Sequence, residues 1–117
     1  MITQKAEELG RMIGQGEEYK ALRRAQERLR ESGELAEQLR RLEQLARRLE
    51  SAAERGETAS EADVSGYDQQ LSAIQSDSTY QSMVAAQSNF DKLMMQVNEH
   101  ILEGMKKGAA SPIITLS

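Results

Sequence analysis

The single histidine, His100, is the first candidate for chemistry, because an imidazole can bind a metal or move a proton near neutral pH. A helical di-iron site needs a Glu-x-x-His motif, but the residue three positions before His100 is Val97. Serines are frequent in the second half of the chain, yet no sequence motif for an oxyanion hole accompanies them. We therefore predict that His100 is a surface residue, with a ligand or catalytic role as the alternative. We assign no catalytic residue and predict that the protein is not an enzyme.

Two further chemistries are disfavoured by the residue types present. The sequence has no cysteine, which excludes disulfides, thiolate metal sites and a cysteine nucleophile within this chain. The glycines of "GRMIGQG" do not have the spacing of the dinucleotide-binding fingerprint, and no predicted strand precedes them. We interpret this segment as the end of a helix and predict no metal and no cofactor.

The arginines offer a third possibility, a cationic track for the phosphates of RNA. Acidic residues interleave with them, and Glu37 and Glu43 stand four residues before Arg41 and Arg47, the favourable spacing for ion pairs on a helix. No aromatic residues lie among them to stack on bases. A solvated, salt-bridged face is therefore predicted, and a weak contact with RNA or an acidic partner stays as the alternative. The candidate residues for that contact are Arg40, Arg41, Arg47 and Arg48.

The composition predicts a helical protein with a thin core. Ala, Glu, Lys, Leu and Arg make up about half of the 117 residues, which is typical of long helices. One Phe, three Tyr and no Trp leave a core that must be aliphatic, and thin helical cores are often completed by a second subunit. The net charge of −4 is mild. Neither a signal peptide nor a membrane-spanning segment is visible, so we expect a cytoplasmic protein.

Apolar spacing and capping residues divide the chain into helices. Residues 2–13 form a short amphipathic helix, and a second helix starts near Glu17. A break at "ESGE" offers Ser32 as the N-cap of a leucine-rich helix that ends at Gly56. Thr58 and Glu61 match a capping box for the next helix, and after the break at "SDST" a last helix extends to about Lys107.

This layout is nearly symmetric about the "RGET" turn and predicts an all-α fold. We expect an extended antiparallel helical hairpin with a short N-terminal helix alongside, oligomerising as a helical bundle. Residues 1–108 would form one domain and residues 109–117 a flexible tail, unless Ile113, Ile114 and Leu116 dock onto a groove or a partner. The predicted core and oligomer seam consists of Leu35, Leu39, Leu42, Leu49, Leu71, Ile74, Phe90, Leu93, Val97 and Ile101.

The last helix also carries apolar residues beside its main stripe. Met94, Met95 and Leu102 widen the stripe beyond what one neighbouring helix covers. Methionine side chains fill core gaps, and they also repack readily against partners. Core filling is one interpretation of these residues, and a partner-binding surface is the other.

The order of these elements resembles that of the YlbF/YmcA (Com_YlbF) family. The resemblance rests on "KAEELGRMI", "GEEYKALRRAQERL", the leucine helix and the final "FDKLMMQVNEHI", and it spans about residues 1–105. It implies a self-associating, hairpin-based helical fold and a cytoplasmic bacterial regulator that acts through partners. Some members form a complex that influences competence, sporulation and biofilm formation and helps a ribonuclease mature transcripts. Such complexes can carry iron–sulfur clusters on cysteines, a property that does not carry over to this cysteine-free chain.

The sequence thus predicts a non-enzymatic regulator or adaptor. Its expected partners are a second copy of itself, most simply in a dimer, and other proteins such as family paralogues or a ribonuclease complex. An RNA-associated accessory protein and a purely structural helical oligomer are the two alternatives.

Overall fold

The computed structural model describes residues 1–110, and these residues fold into five α-helices. The predicted all-α class is confirmed, and each predicted helix is present within a few residues of its expected bounds. The helices are α1 (Ile2–Gln15), α2 (Glu17–Glu31), α3 (Gly33–Glu54), α4 (Glu61–Gln75) and α5 (Ser78–Ala110).

Three side chains cap the helices that follow a break. The Ser32 hydroxyl accepts a hydrogen bond from the Leu35 backbone N–H at 3.3 Å, as predicted. The Asp77 carboxylate accepts one from the Tyr80 N–H at 3.0 Å at the start of α5. The sequence predicted Thr58 as the N-cap of α4, and this prediction was wrong. Ser60 is the N-cap, and its hydroxyl accepts from the Asp63 N–H at 3.1 Å.

The turn of the hairpin is set by Gly56, which has a φ of 70°. This left-handed conformation closes α3 with two hydrogen bonds, from the Gly56 N–H to the Ala53 carbonyl at 3.1 Å and from the Glu57 N–H to the Ala52 carbonyl at 2.9 Å. The pattern is a Schellman motif, in which glycine is favoured because its missing Cβ removes the steric penalty. The chain then reverses into α4.

Two pairs of helices run along the hairpin, α3 against α4 at the tip and α2 against α5 at the base. In the base pair, Leu22, Ala25 and Ala86 form a buried cluster, and the rings of Tyr19 and Phe90 meet with centroids 5.7 Å apart. At the tip, Arg48 Nη1 reaches Asp63 Oδ1 at 3.5 Å across the two helices.

The two breaks in the hairpin face each other. The antiparallel registers fixed by Tyr19–Phe90 and Arg48–Asp63 bring Ser32 level with Asp77. Leu35 and Ile74, just on the tip side of those breaks, are the two largest fully buried side chains. The hairpin therefore consists of two packed helix pairs that meet at this level.

The molecule is long and thinly packed. Its extents are 67 × 36 × 19 Å, and its radius of gyration of 21.7 Å far exceeds the ~13 Å of a compact domain of this length. Among residues 1–110, only six apolar side chains are buried: Leu22, Ala25, Leu35, Ala52, Ile74 and Ala86. A core this small supports the expectation that further apolar surface is covered by another chain.

The C-terminal end of α5 continues to Ala110, which is slightly further than the sequence predicted. Residues 109 and 110 of the predicted tail thus belong to the helix. The rest of that prediction, including Ile113, Ile114 and Leu116, lies outside the described residues. The division into a domain and a tail stays a prediction.

Candidate protein-interaction surface

The four arginines considered for RNA contact all lie in ion pairs with carboxylates of the same chain. Glu37 pairs with Arg40 and Arg41, the latter at 3.7 Å, and Glu43 pairs with Arg47. Arg48 pairs with Asp63 of α4. All four side chains remain largely exposed to solvent, so these contacts are individually weak. The arrangement has the character of the salt-bridged face that the sequence predicted.

Within this network, the mutual hydrogen bond of Glu37 and Arg40 shifts the pKa of both groups, lowering that of the carboxyl and raising that of the guanidinium. The bond from Arg40 Nη2, at 2.6 Å to Glu37 Oε1, lowers the pKa of the carboxyl below its ordinary value. The positive charges of Arg40 and Arg41 act in the same direction. Because the carboxyl is at the surface, the effect is local and gives no sign of a catalytic acid.

His100 lies on the exposed surface of α5. Across residues 1–110, no three His, Asp or Glu side chains are grouped so that they could hold a metal ion. The grooves between the helices are wide and open to solvent. One of them, at the hairpin tip, is lined by Arg47, Arg48, Arg55 and Ser60.

The predicted seam residues have different degrees of burial within one chain. Leu35 and Ile74 are fully buried inside the hairpin itself. Ile101, by contrast, is 47% exposed near the end of α5. The other seven are half-buried: Leu39, Leu42, Leu49, Leu71, Phe90, Leu93 and Val97. Within one chain the predicted seam is therefore fully covered at Leu35 and Ile74, partly covered at seven positions and most exposed at Ile101.

The predicted partner surface is accessible at two of its three positions. Met95 and Leu102 are more than half exposed, and Met94 is half-buried beside the α5 stripe. Ile101 and Met105 extend this apolar region toward the end of the helix. All of these residues are on α5, whose 33 residues extend beyond the start of α2.

Helix α1 carries a second uncovered apolar face that the sequence did not assign to a partner. Ile2 and Met12 are 85% and 70% exposed, and Leu9 and Ile13 are only half-buried. Gly16, with extended backbone, separates α1 from α2, and the contacts of α1 are with α2 rather than with α5. The signal was present in the spacing of Ile2, Leu9 and Ile13, but only the structure reveals that the helices up to Ala110 leave this face incompletely covered.

None of the helices up to Ala110 is both long enough and apolar enough to cross a bilayer. The two apolar faces are short stretches on amphipathic helices, which is the form of a surface that binds another helix. These two faces are therefore suited to association with another protein.

Comparisons with known proteins agree with this fold. The chain superimposes on a chain of the crystal structure of Bacillus subtilis RicA in complex with RicF, with a TM-score of 0.80 and 15% sequence identity. The match covers 92% of this chain and 96% of that chain. No curated protein sequence matches the chain. The profile of a family described as "Control of competence regulator ComK, YlbF/YmcA" matches residues 2–106, almost the full length, so the chain belongs to the Com_YlbF family.

Proposed function

We propose that this protein is a non-enzymatic regulator that acts in the cytoplasm by binding other proteins. The observation that carries the proposal is the pair of exposed apolar faces, on α1 and on the end of α5, in a molecule that buries only six apolar side chains among residues 1–110. Faces of this kind on amphipathic helices bind helices of a partner. Membership of a family named for the control of a competence regulator supports the regulatory role.

A multiprotein complex is the proposed setting of this activity. The structurally similar RicA was crystallised with RicF, so a partner of related helical fold is the first expectation for this chain. We place the complex in ribonuclease-dependent mRNA processing and developmental control, the role that the family resemblance implies. In this role the chain contributes a binding surface, and the chemistry belongs to its partners.

The partner surface is assigned to Met94, Met95 and Leu102 on α5. Met95 and Leu102 expose thioether and branched aliphatic groups that a partner helix can cover, and methionine adapts its shape at little cost. The arginine face is the less favoured site, because each of the four arginines already has a carboxylate partner.

The test is affinity capture from lysate of the source cells, followed by mass spectrometry, with three variants beside the unmodified protein. Met95→Glu should remove the captured partner, whereas helicity and self-association stay nearly unchanged. Ala85→Glu places the same charge at another exposed position of α5 and serves as the matched control. The double variant Arg47→Glu/Arg48→Glu should retain the partner.

The two surfaces predict opposite patterns in this experiment. Loss of the partner in the arginine double variant, with retention in Met95→Glu, would move the binding site to the charged face. Nuclease treatment of the lysate separates a protein contact from one bridged by RNA, since a bridged partner is lost when the RNA is digested. Capture that disappears after nuclease treatment would favour the RNA-associated alternative.

A further inference from the structure

The two breaks of the hairpin lie at one level, and the regular helical bonding stops there. The backbone of Ser32 is extended, with a φ of −83° and a ψ of 94°. Within residues 1–110, no backbone hydrogen bond joins α2 directly to α3 or α4 directly to α5. The bonds of the Ser32 and Asp77 caps reach forward to Leu35 and Tyr80. These caps therefore belong to the helices that follow them and survive a change of direction at the breaks.

The two ends of the hairpin have separate buried side chains. The base, α2 with α5, contains the cluster of Leu22, Ala25 and Ala86. Leu35 and Ile74, each 1% exposed, lie on the side of the tip, α3 with α4, and do not belong to that cluster. Helices pack far more extensively within the tip and within the base than across the breaks. Each end can thus keep its own packing when the angle between them changes.

One side-chain hydrogen bond bridges the break between α4 and α5. Gln81 Nε2 donates to the carbonyl oxygen of Gln75, the last residue of α4, at 2.8 Å. This bond is exposed to solvent, so it is individually weak. At the break between α2 and α3, a Cβ built on Gly33 meets no atom within 4 Å, so packing does not restrain this residue. Both crossings of the chain are therefore lightly held.

We propose that the level of Ser32 and Asp77 is a hinge, about which the tip pivots as one body relative to the base. Two chain crossings at the same level define an axis, and this confines the motion to a bending of the hairpin. The exposed apolar faces of α1 and α5 stay with the base, whereas the salt-bridged arginines of α3 move with the tip. A partner bound to the base then leaves the direction of the tip free to change. This device goes beyond the proposed function and is tested on the protein without any partner.

Distances between pairs of spin labels test the hinge, because the chain contributes no cysteine of its own. The labels occupy four exposed positions that form no ion pair within residues 1–110: Arg23, Glu50, Asp68 and Ser88. Arg23→Cys/Glu50→Cys crosses the break on the α2–α3 side, and Asp68→Cys/Ser88→Cys crosses it on the α4–α5 side. Glu50→Cys/Asp68→Cys stays within the tip, and Arg23→Cys/Ser88→Cys stays within the base.

Double electron–electron resonance measures each distance distribution, with labelled protein diluted in an excess of unlabelled protein so that distances between copies do not contribute. A pivot of ~20°, the size of a sharp kink, moves a label that lies ~10 Å from the axis by ~3.5 Å. The two crossing distributions should therefore be about twice as wide as the two internal ones. Equal widths in all four variants, whether narrow or broad, would overturn the hinge.

Removal of the bridging hydrogen bond tests where the hinge lies. Gln81→Ala should widen the Asp68→Cys/Ser88→Cys distribution further, because the only bond named above across that break is lost. Gln87→Ala is the matched control, since Gln87 Nε2 donates to Asp91 Oδ1 at 2.9 Å within α5 and crosses no break. No widening in Gln81→Ala, or equal widening in both variants, would contradict the assigned position.

Stiffening the other break should have the opposite effect. Gly33→Ala should narrow the Arg23→Cys/Glu50→Cys distribution, because alanine restricts the backbone at a position that has room for its Cβ. Gly10→Ala makes the same change in α1, where a Cβ also meets no atom within 4 Å, and should leave the distribution as it is. A distribution that Gly33→Ala leaves as wide as before would place the motion elsewhere and refute the hinge at Ser32.

Discussion

Single hydrogen bonds decide where the helices of this chain begin. At the start of α4, two residues match the pattern of a capping box, Thr58 with Glu61 and Ser60 with Asp63, and the sequence does not distinguish them. In the structure the Ser60 hydroxyl accepts the bond from the Asp63 N–H, and the backbone of residues 56–59 completes the turn instead of entering the helix. Helix α4 thus begins two residues later than a cap at Thr58 would place it.

The effect of the Ser60 cap is measurable against a matched residue. Ser60→Ala should lower the free energy of unfolding by about 1 kcal/mol, because the Asp63 N–H loses its acceptor. Thr58→Ala should change it by less than about 0.5 kcal/mol, as expected for an exposed position outside a cap. Urea unfolding followed by circular dichroism compares the two, and an equal loss in both variants would restore Thr58 as the cap.

The Glu37–Arg40 pair makes a prediction about pH. Since the pKa of Glu37 is lowered in the folded chain, the pair stabilises the fold above the ordinary pKa of a glutamate, and this contribution is lost as the pH falls through the lowered value. Arg40→Gln should raise the pKa of Glu37 toward its ordinary value, measured from side-chain carboxyl shifts by NMR. An unchanged titration would mean that Arg40 does not bond to Glu37 in solution.

At the scale of helices, much of the architecture was predictable because apolar spacing and breaks are local signals. Ser32 and Gly56 fix where helices end, and both act within four residues of chain. Which side of each helix stays uncovered was not predictable in the same way. That depends on how α1 is turned at Gly16 and how far α5 extends past α2, which are relations between elements far apart in sequence.

The packing of α3 on α4 involves Gly66, which lies inside α4 beside Leu45. A Cβ built on Gly66 would meet Leu45 Cδ1 at 3.6 Å and Cδ2 at 3.8 Å, which is ordinary van der Waals contact. Gly66→Ala should therefore stabilise the protein by about 0.5–1 kcal/mol, since alanine loses less backbone entropy in a helix.

Gly56→Ala is the control for this experiment, because its φ of 70° strains any residue with a Cβ and should make the variant less stable. Thermal unfolding of both variants gives the comparison. Destabilisation by Gly66→Ala would indicate that α3 and α4 approach more closely in solution than here.

At the scale of the whole molecule, the thin core makes the stability of the fold depend on association with another chain. The six apolar side chains buried among residues 1–110 provide little of the burial that a stable domain of this length requires. A chain that completes its core with a second copy becomes more stable as its concentration rises. We therefore expect the midpoint of thermal unfolding to increase with protein concentration in the micromolar range.

Two aspartate substitutions separate the chain's own packing from its association. Phe90→Asp should cost several kcal/mol at every concentration, because Phe90 packs on Tyr19 and the buried Leu22 cluster. Ile101→Asp, at a position 47% exposed, should lower the midpoint of concentrated samples to that of dilute unmodified protein. Calorimetry at two concentrations measures both, and a midpoint that never varies with dilution would argue for a self-sufficient monomer.

The pairing of α2 with α5 also sets an order of events during synthesis. The tip pair, α3 and α4, is joined by a short turn, so it closes soon after both helices leave the ribosome. Tyr19 must wait for Phe90, which at ordinary translation speeds emerges roughly 4 to 14 seconds later. For those seconds the apolar side of α2 is open, and a finished copy or a chaperone has access to it before the chain's own α5 exists.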